Sequence, residues 1–455
     1  MKATVCQTAT VLTALGVAMT VVAARADAPH VYAITGARIV TAAGPAVASG
    51  TVVIRNGVID AVGASVPVPD DAVVIEAKGA TIYPGLIDMG SSVGVSPPAL
   101  ADPRNGATRE EVDRWYRTQI LRPDVTAATA VQVDAPDLTR RATAGITTVL
   151  ATPPGAVVRG QSALVNVAAP AEDPQIGDIA TPRRGTIVVK SPVALHVAFA
   201  TTPSRFRAFP ESLMGVIAFV RQAFLDAKHY QLEQQYYSSG KGGATRPADD
   251  PALAAMQPAV DGKLPVAFDV DAAREIRRAL AMARELKLDP IITSAREAGD
   301  VTQDLKAANA RVVLSLDYPV RSKALAPDAD ESLRVLRERA NAPKAAAALE
   351  SAGILFAFES KALKEPRDFV RNAARAVKAG LPAEAAVRAL TINAAKIAGV
   401  ADRLGSIEQG KIANVIVTDG DLFEDKTSIT HVFIDGRRVA LDKIPEQRRS
   451  TTNGQ

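Results

Sequence analysis

Hydrophobic and polar positions divide the chain into regimes. An apolar stretch from Ala9 to Ala23 follows Lys2 and ends at Ala24-Arg25-Ala26, with small residues at the two positions a signal peptidase reads. His30–Ile39, Gly50–Ile54, Val58–Val62 and Val73–Glu76 are then short runs rich in Val and Ile. Asn56-Gly57 lies between two of them, and Asn-Gly is the strongest short hairpin signal. A matching β-type stretch sits near the other end, at Asn414–Thr418, His431–Ile434 and Arg437–Leu441, with Asp435-Gly436 as a turn. Two β regions at opposite ends predict one small sheet domain assembled from both.

The middle of the chain alternates. Thr147–Leu150, Leu264–Val270, Ile291–Ser294, Arg311–Leu316 and Gly353–Glu359 read as strands, and helical stretches follow several of them. Asp271 is placed to cap a helix whose Ile276, Leu280 and Ala283 form an apolar stripe ending before Pro290. Glu211–Tyr237 reads as one long helix, and Ser238–Asp250 as a polar, Gly-rich loop. Strand–helix alternation predicts a parallel sheet covered by helices, as a barrel or an open sheet.

Composition narrows the function classes. With 455 residues and 47% hydrophobic content the chain can bury a sizeable core, which argues against wholesale disorder and a polytopic membrane protein. Its 53 basic residues nearly cancel 49 acidic ones, too even a balance for a nucleic-acid binder. The sole cysteine, Cys6, lies inside the leader, so the mature chain is expected to have no disulfide or thiol chemistry. Cleavage after residue 26, preferred here over an uncleaved N-terminal helix anchor, predicts an exported protein, periplasmic or secreted, with no membrane insertion once the leader is gone.

Tyr83-Pro84-Gly85-Leu86-Ile87-Asp88, following the β-rich start, resembles the entry into the first barrel strand of the metal-dependent amidohydrolase superfamily, in its imidazolonepropionase-like branch. Gly50–Ile59 resembles the family's N-terminal hairpin, and Ala144-Gly145-Ile146-Thr147-Thr148-Val149 its second barrel strand. Thr391-Ile392-Asn393-Ala394-Ala395-Lys396 and Leu404–Lys411 resemble its closing helix and the return to the sheet domain. The resemblance implies an α/β fold: a (β/α)8 TIM-type barrel with a composite β-sandwich domain formed by the N- and C-terminal segments. The expected divisions are a signal peptide over 1–26, sandwich over 27–83, barrel over 84–400, sandwich again over 401–445 and a polar tail over 446–455. The implied activity is hydrolysis of non-peptide C–N bonds in amide, cyclic imide or dipeptide-like substrates.

The same resemblance implies a divalent metal such as Zn, held by a His-x-His pair on strand one, one His on each of strands five and six, and an Asp on strand eight. Here the His-x-His positions are Gly90 and Ser92. Asp269 stands in the strand-five position, Ile291–Glu297 is a less secure match to strand six and has no His, and Lys361 falls near the strand-eight Asp, two residues after Glu359. The chain has only His30, His196, His229 and His431, and two of these lie outside the barrel. His196 reads as a satisfied core or edge residue, His229 as a solvated helix residue and Lys190 as a strand-end lysine in solvent rather than a carboxylated ligand.

The expectation is therefore a degenerate metal site with no cofactor, and hydrolysis lost or reduced. The polar groups left for the mouth are Asp269, Asp271, Arg296, Glu297, Glu359 and Lys361. Asp269 and Asp271, two apart, share a face of an extended strand and could serve as an acid/base pair or bind a hard cation. The competing reading makes Asp271 a helix cap and Asp269 the partner of Arg296 or Lys361, in a salt-bridge cluster filling the vacated cavity. Val158–Leu164 reads as a loop followed by a strand, which could line the mouth, with a structural turn the preferred reading. Three functions follow: a small-molecule binder without metal, an active hydrolase with a carboxylate-based site, or a non-catalytic subunit forming a homo-oligomer or pairing with an intact relative.

Overall fold

The computed structural model describes residues 31–102, 105–132, 135–155, 157–167, 188–200, 209–240, 245–326, 328–361 and 363–444. The expected signal peptide, His30 and the polar tail lie outside the described residues.

Strands from both ends of the chain form one eight-stranded sheet. From the start come β1 (Val31–Ile39), β2 (Val47–Arg55), β3 (Val58–Gly63), β4 (Val73–Glu76) and β5 (Thr81–Pro84). The turn between β2 and β3 has Asn56 and Gly57 both at positive φ, the backbone that the Asn-Gly pair favours.

The second set is β6 (Leu86–Ser91), β7 (Ile146–Ala151), β8 (Val158–Gln161), β9 (Ala163–Asn166), β10 (Val188–Lys190), β11 (Leu195–Ala198), β12 (Val266–Asp269), β13 (Pro290–Thr293), β14 (Arg311–Ser315) and β15 (Phe356–Glu359). From the far end, β16 (Val415–Thr418), β17 (Ile429–Ile434) and β18 (Arg437–Arg438) return to the first sheet, where β16 lies antiparallel to β5. The sheet order is β18-β17-β16-β5-β1-β2-β3, with β4 also on β1.

The second set closes into an eight-membered ring. β11 through β15 run parallel, and so do β6 and β7. β8 and β9 are two halves of one strand, kinked at Ser162, where Ser162 and Val193–Ala194 exchange backbone hydrogen bonds of 2.9 and 3.0 Å. One half pairs with β11 and the other with β7, both antiparallel. On the other side Lys361 N–H donates to the Gly90 carbonyl at 3.1 Å, joining β15 to β6. The expected barrel is present, with its third strand reversed. This reversal places Arg159, near the start of that strand, at the end of the barrel where the parallel strands finish.

Alternation along the strands separates the cores. Val266, Phe268, Ile292, Val312, Leu314, Phe356 and Phe358 face the surrounding helices, while Ile87, Met89, Leu164, Ala267, Ile291, Val313 and Ala357 fill the barrel. The residue two further on in each of β12 to β15 continues the inward row. Those residues are Asp269, Thr293, Ser315 and Glu359, so an apolar floor gives way to a polar layer at the strands' C-terminal ends. The helix Ala273–Leu286 packs against β13, buries Ile276, Ala279, Leu280 and Ala283, and stops at Lys287, which adopts the left-handed backbone. The predicted long helix spans Leu213–Ser238. Among the described residues no helix is long and apolar enough to cross a membrane.

Candidate functional site at the barrel mouth

The polar layer is a chain of compensating charges. Asp269 ends β12 and is only partly exposed. Its Oδ2 lies 2.7 Å from Arg159 Nη1, and its Oδ1 lies 3.6 Å from Lys361 Nζ. Burial works against the Asp269 carboxylate, but Arg159, Lys361 and the Ser294 hydroxyl outweigh it and hold the group below the usual carboxylate range. Lys361 also lies 3.6 Å from Asp271 Oδ1, and Arg296 donates to Asp271 Oδ2 at 2.6 Å while facing Glu338 at 3.5 Å. Cations and carboxylates thus alternate from Arg159 to Glu338.

Glu359 is the buried member of the layer. Its Oε1 accepts a hydrogen bond from Ser294 Oγ at 3.1 Å. Burial, reinforced by the nearby Asp269 and Asp88, pushes its carboxyl well above the ordinary range, and Lys361 offsets only part of this. Its Oε2 occupies the space where a Cβ on Gly90 would lie, well inside van der Waals contact. Gly90 is therefore glycine for a packing reason: the glutamate side chain fills the volume a first-strand residue would need.

Two residues here hold φ > 0 without being glycine, Ser294 at 66° and Lys361 at 48°. This left-handed backbone costs an L-residue about 1–2 kcal/mol. At these two positions it turns the chain out of β13 and β15, and their side chains contact Glu359, Asp269 and Asp271.

Beneath the layer lies a second, fully buried pair. Asp88, on β6, accepts from Arg141 Nη1 at 2.8 Å, from Ser360 Oγ at 2.6 Å and from Ser360 N–H at 2.7 Å. Arg141 also donates to Ser91 Oγ at 3.0 Å. The Asp88 of the recognised hexapeptide thus ties strand one to strand eight through Ser360.

His196, on β11, is 4% exposed, and its Nε2 has no hydrogen-bond partner among the described residues. Burial, with help from Arg159 and against Asp269, lowers it to about 4, so it is neutral at ordinary pH. It is a core histidine as read from the sequence, but an unsatisfied one.

Several sequence expectations are revised by this geometry. Asp271 does not cap the helix that follows: the N-cap residue is Ala272, and the Ala273 N–H donates at 2.8 Å to Glu297 Oε2, reaching across from the next loop. Glu297 thus caps that helix. Asp269 pairs with Arg159 and Lys361, and Arg296 goes to Asp271. Ser92 is exposed beyond the end of β6. Lys190 is not a solvated strand end: its Nζ donates to the Ala398 carbonyl at 2.9 Å. His229 is a surface helix residue, 3.1 Å from Glu233. The span read as a turn, Val158–Leu164, supplies Arg159 from a strand. Ile291–Glu297 is confirmed as the sixth barrel position by the pairing of β13 between β12 and β14.

A parallel-strand barrel whose polar residues gather at the strands' C-terminal ends is an enzyme architecture. The composite sheet beside it and the Asp88 hexapeptide agree with the resemblance to amidohydrolases noted from the sequence. The family described as "Amidohydrolase family" matches residues 249–439, 191 of the 455 residues. The fold is similar along its length to an amidohydrolase from Thermotoga maritima, at 25% identity and TM-score 0.73, covering 90% of this chain and 99% of that one. It is similar also to a prolidase solved with N-methylphosphonate-L-proline (18% identity, TM-score 0.53, 90% and 99% covered). Molinate hydrolase is a third such structure (18%, TM-score 0.51, 92% and 96%). No curated protein matches the chain. The superfamily usually binds a divalent metal. Among the described residues, no three His, Cys, Asp or Glu side chains are grouped to hold one.

Proposed function

We propose that this chain is an exported amidohydrolase-fold protein that has exchanged the catalytic metal for an internal charge cluster and has lost all or most hydrolytic turnover. The observation that carries this reading is the Glu359 carboxylate standing in the space a side chain on Gly90 would occupy. A first-strand imidazole has neither a position nor room there.

The remaining residues do not fit a divalent ion. Its carboxylate neighbours are already neutralised, Asp269 by Arg159 and Lys361, and Asp271 by Lys361 and Arg296. Glu359 is biased toward the neutral acid, and a neutral carboxyl is a poor ligand. A guanidinium and an ammonium next to the cavity add repulsion for any cation. Two positive side chains stand where the fold would otherwise use a dication, and they offset the burial of the same carboxylates.

The carboxylate-based hydrolase is the weaker reading. Asp269 lies below the usual range and is held by two cations, the opposite of a general base tuned toward neutral pH. The function left is binding, of a small molecule at the mouth or of an intact relative. Full-length protein assayed against a panel of amides, cyclic imides and dipeptides, with and without added Zn²⁺, Mn²⁺ or Co²⁺, tests the reading. Turnover at the buffer rate is expected. Metal-stimulated turnover contradicts it, and metal-independent turnover abolished by Asp269→Asn selects the rival.

A further inference from the structure

Beside the mouth, behind Arg296, a cavity of about 490 Å³ opens between the loop after β13 and the helix Leu333–Asn341. Its volume falls in the range of small-molecule pockets. Its lining carries four cations, Arg296, Arg334, Arg337 and Lys344, and three carboxylates, Glu297, Asp300 and Glu338. Arg296 and Glu338 face each other at 3.5 Å, and Glu297 is committed to the Ala273 N–H. The others are uncommitted: among the described residues no hydrogen bond or ion pair engages Arg334, Arg337 or Lys344, and Asp300 alone offers an opposing charge.

Arg334 and Arg337 are three residues apart, so they share one face of their helix. Guanidinium groups so placed match planar acid groups in bidentate fashion. Lys344 ends the 3-10 segment Ala342–Lys344 that follows this helix and adds a point charge to the same lining. The surplus of two positive charges over the uncommitted carboxylate sets the valence of a complementary ligand.

We propose that this cavity binds a small organic anion carrying two acidic groups, carboxylate or phosphate, held by Arg334, Arg337 and Lys344. The site is separate from the vacated metal position, so it stands whether or not the barrel binds metal. Isothermal titration of the full chain with succinate and with inorganic pyrophosphate reads it, since both probes carry two acidic groups and differ in acid type. One-to-one binding of at least one probe, weakening as salt rises, is expected. The probe that binds identifies the acid type.

The double variant Arg334→Ala/Arg337→Ala should weaken that binding about tenfold or more, as expected for loss of charge-assisted hydrogen bonds. The helix Leu333–Asn341 has no buried residue, so the variant does not disturb the core. Arg278→Ala, an exposed arginine on the helix Ala273–Leu286, should leave binding unchanged. The proposal is overturned if neither probe binds at about 10 mM, or if Arg278→Ala weakens binding as much as the double variant does.

Discussion

Replacing Arg141 with methionine removes a guanidinium that is 3% exposed and bonded to three side-chain oxygens, those of Asp88, Ser360 and Ser91. Methionine keeps most of the side-chain volume, so the cavity contribution is small and the electrostatic one dominates. Asp88, 0% exposed, is left as a buried charge. Breaking one partner of a buried pair costs about 3–5 kcal/mol. Asp88 retains the N–H and O–H of Ser360, which places the expected loss toward the lower end, at about 3 kcal/mol. Urea unfolding followed by circular dichroism measures it. The double variant Asp88→Asn/Arg141→Met removes the orphaned charge and should recover at least about 1 kcal/mol of that loss. A single-variant loss below about 1 kcal/mol, or no recovery in the double, would refute the argument that this pair fastens strand one to strand eight.

Gly90→Ala drives a methyl group into the Glu359 carboxylate and should destabilise by about 1–3 kcal/mol, with Glu359→Ala in the same chain restoring most of it; thermal unfolding of both single variants and the double checks this. Glu359 also sets a pH dependence. Its folded-state pKa lies above the unfolded one, so the folded protein holds the extra proton, and stability falls as pH rises from the ordinary carboxylate range through the raised value. Glu359→Gln removes that slope. Its Tm should gain on the wild type as pH is raised from about 5 to 8, and a constant difference over that window would show that the glutamate is ionised throughout.

The barrel strands are legible as short apolar runs followed by helices, a pattern that fits a barrel or an open sheet, and the family resemblance selects the barrel. Arg311–Leu316 was read within one residue of β14, and Leu264–Val270 brackets β12. The pairing of Asp269 with Lys361 is legible because each lies at a strand end in sequence, whereas Arg296, the alternative partner, goes to Asp271. What the sequence hid was the partner supplied from elsewhere. Arg159 lies on a strand that runs opposite to its neighbours, and no local pattern marks a reversed strand inside a barrel. Arg141 lies on the short 3-10 segment Arg140–Ala144, where an arginine reads as solvated, and its burial depends on Asp88, 53 positions away. Asp271 was assigned the cap because acidic residues precede helices, whereas Glu297 takes that role across a loop. The Gly90 position was read as the loss of a ligand; the side chain that fills its space belongs to β15, and only the closed ring brings the two together.

Metal stoichiometry of the full-length protein, purified without chelators and measured by inductively coupled plasma mass spectrometry after equilibration with Zn²⁺ and Mn²⁺, bears most directly on the proposed exchange of metal for the Arg159–Asp269–Lys361 cluster. The account predicts well under one-tenth of an equivalent of any transition metal, in line with a cavity whose carboxylates already carry cationic partners. About one equivalent, lost on replacing Asp269 or Glu359, would contradict it.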